Sequence, residues 1–305
     1  MRNFVGNEKK VKLVESLARS KQAQGAYIFT GPDGVGKLEL AEYFCHLLCG
    51  AETELNVYRI RPEIIETKKK RREGDIKVKE IRSAIDFMSM KSRGNAYKAC
   101  LIEKAHKMTE GAQNALLKSL EEPKERSIFA LVAESEQRLL PTIRSRSVIL
   151  RLGLAHPGEI LAALSKQGIS EDVASKAVYY GWGKFTYSLK LAEQPALLQE
   201  LQDISRRFKA YIDSPLYERM KVVEEEGDDH SVLSRRLDVW ITFLTAGLES
   251  SFIAGLPVGN FSVESSAVSP RNIARILEEL IALRRKMKSG GVAVRLALEA
   301  AVINF

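Results

Sequence analysis

The residues that most constrain this chain are Gly31-Pro32-Asp33-Gly34-Val35-Gly36-Lys37-Leu38, a glycine-rich loop set between two patterned segments. Ala26-Tyr27-Ile28-Phe29-Thr30 before it is apolar and β-prone, and Leu38 to Leu48 after it reads as a helix. The loop therefore falls at a strand-to-helix turn, where backbone N–H groups and a lysine converge on phosphate oxygens at the helix N-terminus. Gly31, Gly34, Gly36 and Lys37 are the candidate phosphate-binding residues. The final position departs from the working pattern. A serine or threonine hydroxyl there coordinates Mg²⁺, and Leu38 offers no oxygen. A second reading stands beside the first, in which the glycines persist because the turn itself needs them.

Further β-prone runs at Val57 to Ile60, Tyr97 to Ile102, Ser127 to Ala133 and Val148 to Leu152 alternate with helical patterns near Val78 to Met90 and Thr109 to Glu122. Strands alternating with helices imply a parallel sheet covered on both faces. Pro123 stops the second of those helices, and Asn7 is placed as the cap of a first helix running through Ala18. After Leu152 the strand signals end, and Gly153 with His156-Pro157-Gly158 marks a boundary. A chain of 305 residues suggests two or three domains. The predicted division is a parallel α/β domain over 1–152, a small helical domain over 153–195 and a helical block over 196–305. In the last, Ser269-Pro270 reads as a helix start and Ser289-Gly290-Gly291 as a stop.

A net charge of +8 favours contact with a polyanion or an acidic protein surface without choosing between them. The run Lys68-Lys69-Lys70-Arg71-Arg72 reads as a solvated loop, with a DNA-binding patch as the alternative. Three cysteines argue against a disulfide scaffold and for a reducing compartment. Cys45, His46 and Cys49 lack a fourth ligand, so they and Cys100 read as packing residues and no metal site is expected. The chain opens without an apolar leader, and Val239 to Leu248 is too short to span a bilayer, so a cytoplasmic protein without membrane contact is expected. No hydrolase elbow, zinc-protease helix or Cys-x-x-Cys pair occurs.

Two longer stretches carry a resemblance. Glu103-Lys104-Ala105-His106-Lys107-Met108-Thr109-Glu110-Gly111-Ala112-Gln113-Asn114-Ala115-Leu116-Leu117-Lys118-Ser119-Leu120-Glu121-Glu122-Pro123 and Leu139-Leu140-Pro141-Thr142-Ile143-Arg144-Ser145-Arg146-Ser147 resemble bacterial clamp-loader subunits of DNA polymerase III, above all their delta-prime branch. Val294-Arg295-Leu296-Ala297-Leu298-Glu299 is similar to that family's closing helix. The resemblance implies an AAA+ P-loop domain, a small helical lid and an all-helical C-terminal collar. It also implies a hetero-oligomer with gamma/tau and delta subunits, working on a sliding clamp and primed DNA through the complex.

Position by position, the resemblance implies a dismantled catalytic pocket. The family's acidic pair after the third strand falls on Glu103-Lys104, its polar sensor on Ala133 and its sensor arginine on Tyr187. A protonated lysine is no general base, and at about 4 Å in an effective dielectric of about 20 it repels a divalent cation by about 8 kcal/mol. Ser145-Arg146 survives, and in the family this arginine reaches the ATP of a neighbouring subunit. A surface arginine paired with a nearby carboxylate is the other reading of Arg146. The expectation is a subunit that needs no cofactor, retains the means to hold ATP or ADP weakly through Gly31, Gly34, Gly36 and Lys37, and donates Arg146 in trans. Its rivals are an active gamma/tau-like ATPase or other AAA+ motor, and a basic DNA-binding module.

Overall fold

The computed structural model describes residues 4–50, 53–67, 70–90, 92, 97–214, 236–241, 244–245 and 270–288. The chain divides into two compact units, Met1–Glu159 with Gly183–Thr186, and Ile160–Trp182 with Tyr187–Phe305.

Strands β1 (Gly25–Thr30), β2 (Val57–Ile60), β5 (Lys98–Ile102), β6 (Ser127–Ala133) and β7 (Ser147–Arg151) form one sheet in the order β2-β5-β6-β1-β7. Every pairing in it is parallel. The expected sheet is thus present. Parallel neighbours require crossovers, which are supplied by α2 (Lys37–Cys49), α4 (Val78–Ser89) and α5 (Glu110–Glu121). Side chains alternate between two cores, as the two-residue period of a strand demands. Tyr27, Phe29, Leu101 and Ala130 join Leu40 and Phe44 of α2 and Val14 of α1 (Glu8–Ser20) on one face. Ile28, Cys100, Phe129 and Leu131 join Ile81 of α4 and Leu116 of α5 on the other.

Local chemistry sets the helix ends. Thr109 caps α5 by accepting from the Ala112 N–H at 3.2 Å. Pro141 opens the short α6 (Pro141–Ser145), where its missing N–H costs nothing. Asn7 occupies the N-cap position of α1 but does not cap it through its side chain. Its amide instead donates to the Gly153 carbonyl at 3.2 Å and accepts from the Gly153 N–H at 3.1 Å, tying the start of the domain to the end of its last strand.

One element departs from expectation. The basic run does not read as loop throughout: Lys70–Glu73 (β4) pairs antiparallel with Ile64–Thr67 (β3), closed by the Gly74 N–H on the Glu63 carbonyl at 2.8 Å. Residues 68 and 69 lie outside the described residues. Beyond β7 come α7 (Pro157–Lys166), α8 (Glu171–Gly181), α9 (Phe185–Glu193), α10 (Pro195–Asp213) and α11 (Pro270–Lys288), with helical turns at 236–241. In the second unit Ala174, Ala177, Val178 and Leu201 are buried, and Arg284 of α11 forks onto Asp238. The helix start at Pro270 agrees with expectation, whereas Ser289-Gly290-Gly291 and Val294 to Glu299 lie outside the described residues.

Replacing the buried Asn7 removes both of its bonds to Gly153. Asn7→Ala is expected to lower unfolding stability by about 1–3 kcal/mol, read as a lower urea midpoint at unchanged slope.

Candidate functional site

The glycine-rich loop leaves β1 at Thr30 and enters α2 at Lys37. Three of its glycines have left-handed backbone: Gly31 at φ +141°, Gly34 at +80° and Gly36 at +94°. Gly31 is also sterically confined, because a Cβ there would stand 2.2 Å from the Leu152 carbonyl oxygen. That close approach follows from the Leu152 N–H bonding the Thr30 carbonyl at 2.7 Å, which draws the exits of β7 and β1 together. The Gly34 carbonyl accepts from the Thr186 N–H at 3.0 Å.

Lys37 is 7% exposed, and its ammonium is taken up by its own loop. Nζ donates to the Gly31 carbonyl at 2.6 Å, the Pro32 carbonyl at 2.8 Å and Asp33 Oδ1 at 3.0 Å. An ammonium has three N–H donors, so a phosphate must displace at least one of these acceptors. Burial tends to raise the Asp33 carboxyl, but the bond to Lys37 and the charges of Lys37, Lys104 and His106 outweigh it and hold the pKa below the usual value. Leu38 is packed against the core that α2 shares with the sheet.

At the C-terminal end of β5, the acidic-pair position divides in two. Glu103 binds Arg61 Nε at 2.6 Å and faces Arg59 at 3.6 Å, so edge strand β2 holds its carboxylate. Lys104 adopts left-handed backbone, φ +50°, and its ammonium pairs with Glu73 at the end of β4. His106, two residues on, was not singled out by sequence. Its Nδ1 accepts from the Glu134 N–H at 3.3 Å, next to the Ala133 position. Burial lowers the His106 pKa; the Glu134 carboxylate opposes this only in part, while Arg138 and Lys107 add to it. The signal that could have found His106 was its place two residues beyond Lys104 in the same short segment.

Arg146 lies at the C-cap of α6 and is partly exposed. Its Nη2 reaches Glu121 Oε1 of α5 at 3.0 Å, and Nη1 lies 3.3 Å from the Thr142 carbonyl. Ser145 Oγ donates to the same carbonyl at 3.1 Å. The structure therefore places Gly31, Gly34, Gly36 and Lys37 together between β1 and the first turn of α2, and Ser145 and Arg146 apart from them, at the C-terminal end of α6. Tyr187 belongs to the other compact unit. Cys45, Cys49 and Cys100 are free, buried thiols, and burial pushes Cys49 up to about 12. Among the described residues there is no group of three or more potential metal ligands, and no helix is long and apolar enough to cross a membrane.

Comparison with known proteins places this geometry. Residues 6–155 match the family described as DNA polymerase III, delta subunit. The delta-prime subunit of Pseudomonas aeruginosa is 34% identical over 148 residues, 45% of this chain and 45% of that protein. The tau subunit of Bacillus subtilis is 30% identical over 157 residues, 47% of this chain and 27% of that protein. The chain thus aligns with less than half the length of either relative. A solved gamma subunit-related protein of Thermotoga maritima superposes with a TM-score of 0.55 at 16% identity, covering 95% of this chain and 97% of that one, a likeness of fold. Residues 6–155, the segment that matches this family, contain the five-stranded parallel sheet and the helices that cover it.

Gly31 and Gly25 separate the structural demand on the loop from simple backbone handedness. Both have positive φ, but a Cβ on Gly25 meets nothing within 4 Å. Gly25→Ala is expected to cost about 1–2 kcal/mol of unfolding free energy, and Gly31→Ala about 3 kcal/mol or more, measured by denaturant unfolding.

Proposed function

We propose that this chain is a delta-prime-like subunit of a DNA polymerase III clamp loader that does not turn over ATP itself and supplies Arg146 to the ATP site of a neighbouring subunit. The observation that carries this reading is the charge arrangement after β5. Lys104 stands where a base is required and is paired with Glu73, while the Glu103 carboxylate is gripped by Arg59 and Arg61. With Leu38 lacking a hydroxyl, the described residues of the loop and the β5 exit present no free oxygen set for Mg²⁺. Weak ATP or ADP binding remains within reach of the loop, at the cost of parting Lys37 from its own carbonyls.

Removing a trans arginine of this kind costs about 10³–10⁵ in rate, or about 4–7 kcal/mol. The pairing of Arg146 with Glu121 does not stand in the way, since both side chains are partly solvated and such pairs are worth about 0–1 kcal/mol. Exchanging Glu121 for a developing phosphoryl charge is therefore downhill. In this reading Ser145 helps set the turn that presents Arg146, through its bond to the Thr142 carbonyl. The partners are gamma/tau and delta subunits in a cytoplasmic hetero-oligomer, and the sliding clamp and primed DNA are met through the complex. Residues 153–195 would serve as the lid and 196–305 as the collar that holds the ring together.

An active ATPase is the competing reading, favoured by the 30% identity to a tau subunit. It would have to free Glu103 from two guanidinium groups and find another base.

In a loader reconstituted with Arg146→Ala, ATP turnover at the adjoining site is expected to fall by about 10³-fold or more, while Glu121→Ala leaves it unchanged. Unchanged turnover in Arg146→Ala, with assembly intact by sedimentation, would overturn the proposed role.

A further inference from the structure

Lys37 is the one cation in the run Gly31 to Leu38, and its charge is already answered within that run. Its side chain is 8% exposed, and its N–H donors are spent on the Gly31 carbonyl at 2.6 Å, the Pro32 carbonyl at 2.8 Å and Asp33 Oδ1 at 3.0 Å. The N–H groups of Gly34 and Gly36, by contrast, have no backbone acceptor among the described residues. The backbone part of the anion cradle is open, and the ammonium is not.

The three acceptors are not equivalent. Two are backbone carbonyls, and Gly31 has little room to move, since it lies at φ +141° with the Leu152 carbonyl oxygen 2.2 Å from where a Cβ would stand. Asp33 accepts through a side chain that is 77% exposed and free to turn about its own rotatable bonds. It is also the only acceptor of the three that carries a charge. Burial works against that charge, but the bond to Lys37 and the positive charges of Lys37, Lys104 and His106 outweigh it and hold the carboxyl below its usual pKa. Lys104 is otherwise answered by Glu73, so the cations near the loop face an anion even when no ligand is bound.

We infer that Asp33 is the resident anion of the loop: its carboxylate holds the place on Lys37 that a ligand phosphate takes, and so sets the affinity of the site. This rests on the reading of the loop as one that can still hold phosphate. The first phosphate oxygen takes the place of Asp33, which turns out to solvent, and any further oxygen costs Lys37 a carbonyl. A monoanion exchanges one carboxylate-like charge for another and gains nothing. A diphosphate group, inorganic or on a nucleoside, brings more charge to Lys37 and acceptors for the N–H groups of Gly34 and Gly36. The ligand class is therefore a diphosphate without Mg²⁺. Neutralising Asp33 removes both the competitor for Lys37 and a like charge beside the bound group, which corresponds to about tenfold in affinity.

The test titrates the full chain with pyrophosphate, without Mg²⁺ and at constant ionic strength in KCl, by calorimetry and by the NMR shift of the Asp33 carboxyl carbon. Saturating pyrophosphate is expected to move that signal to the position of an exposed, unpaired carboxylate. Asp33→Asn, nearly isosteric at an exposed position, should fold as the parent does and bind pyrophosphate about tenfold more tightly, and Lys37→Ala should abolish binding. Equal affinity in the parent and Asp33→Asn, binding by neither, an Asp33 signal that stays in place at saturation, or acetate bound by the parent as tightly as pyrophosphate would overturn the inference. Neither Mg²⁺ nor turnover enters the measurement, so its outcome is separate from whether the chain hydrolyses ATP or presents Arg146.

Discussion

The parallel pairing of β1 with β6 on one side and β7 on the other is the constraint from which the N-terminal unit follows. All six residues of β1 are buried, and their alternation sends Tyr27 and Phe29 into one core and Ala26 and Ile28 into the other. With register fixed, Thr30 must receive the Leu152 N–H, and the next residue passes so close to Leu152 that only glycine fits. The glycine-rich loop is thus in part a consequence of sheet closure. The sheet therefore demands glycine at position 31 whether or not the loop holds a phosphate.

Electrostatics at the strand exits is self-contained. Lys37 is neutralised within its own loop, Lys104 by Glu73, and Glu103 by Arg59 and Arg61. Each is a pairing within the chain that a metal-bound triphosphate would have to compete with. Arg146 is paired as well, with Glu121, and that pair is about as exposed as Lys104 with Glu73. Exposed pairs of this kind are worth about 0–1 kcal/mol, whereas the buried Lys37 ammonium is held by three acceptors of its own loop.

Much of this was legible in the sequence because the signals are local. Runs such as Ser127 to Ala133 are apolar on both faces, Thr109 sits at a cap, and the loop's glycines fall between a strand and a helix. What escaped depends on residues distant in the chain. Asn7 sits at a helix start, yet its side chain answers to Gly153, 146 positions away. Lys70–Glu73 has no apolar alternation, so nothing in its pattern announced a strand; it is formed by backbone pairing with Ile64–Thr67. Lys98 falls inside the β-prone run Tyr97 to Ile102, and its burial follows from the Phe87 carbonyl and ring brought over it by α4. The grip of Arg59 and Arg61 on Glu103 likewise exists only once β2 lies beside β5.

The central claim is that this chain's own phosphate pocket performs no hydrolysis. Phosphate release from Mg²⁺-ATP by the purified full chain tests it most directly, run beside a Lys37→Ala control. Release indistinguishable between the two proteins and equal to the buffer background is the predicted result. Sustained Mg²⁺-dependent turnover that the Lys37 substitution removes would contradict the account.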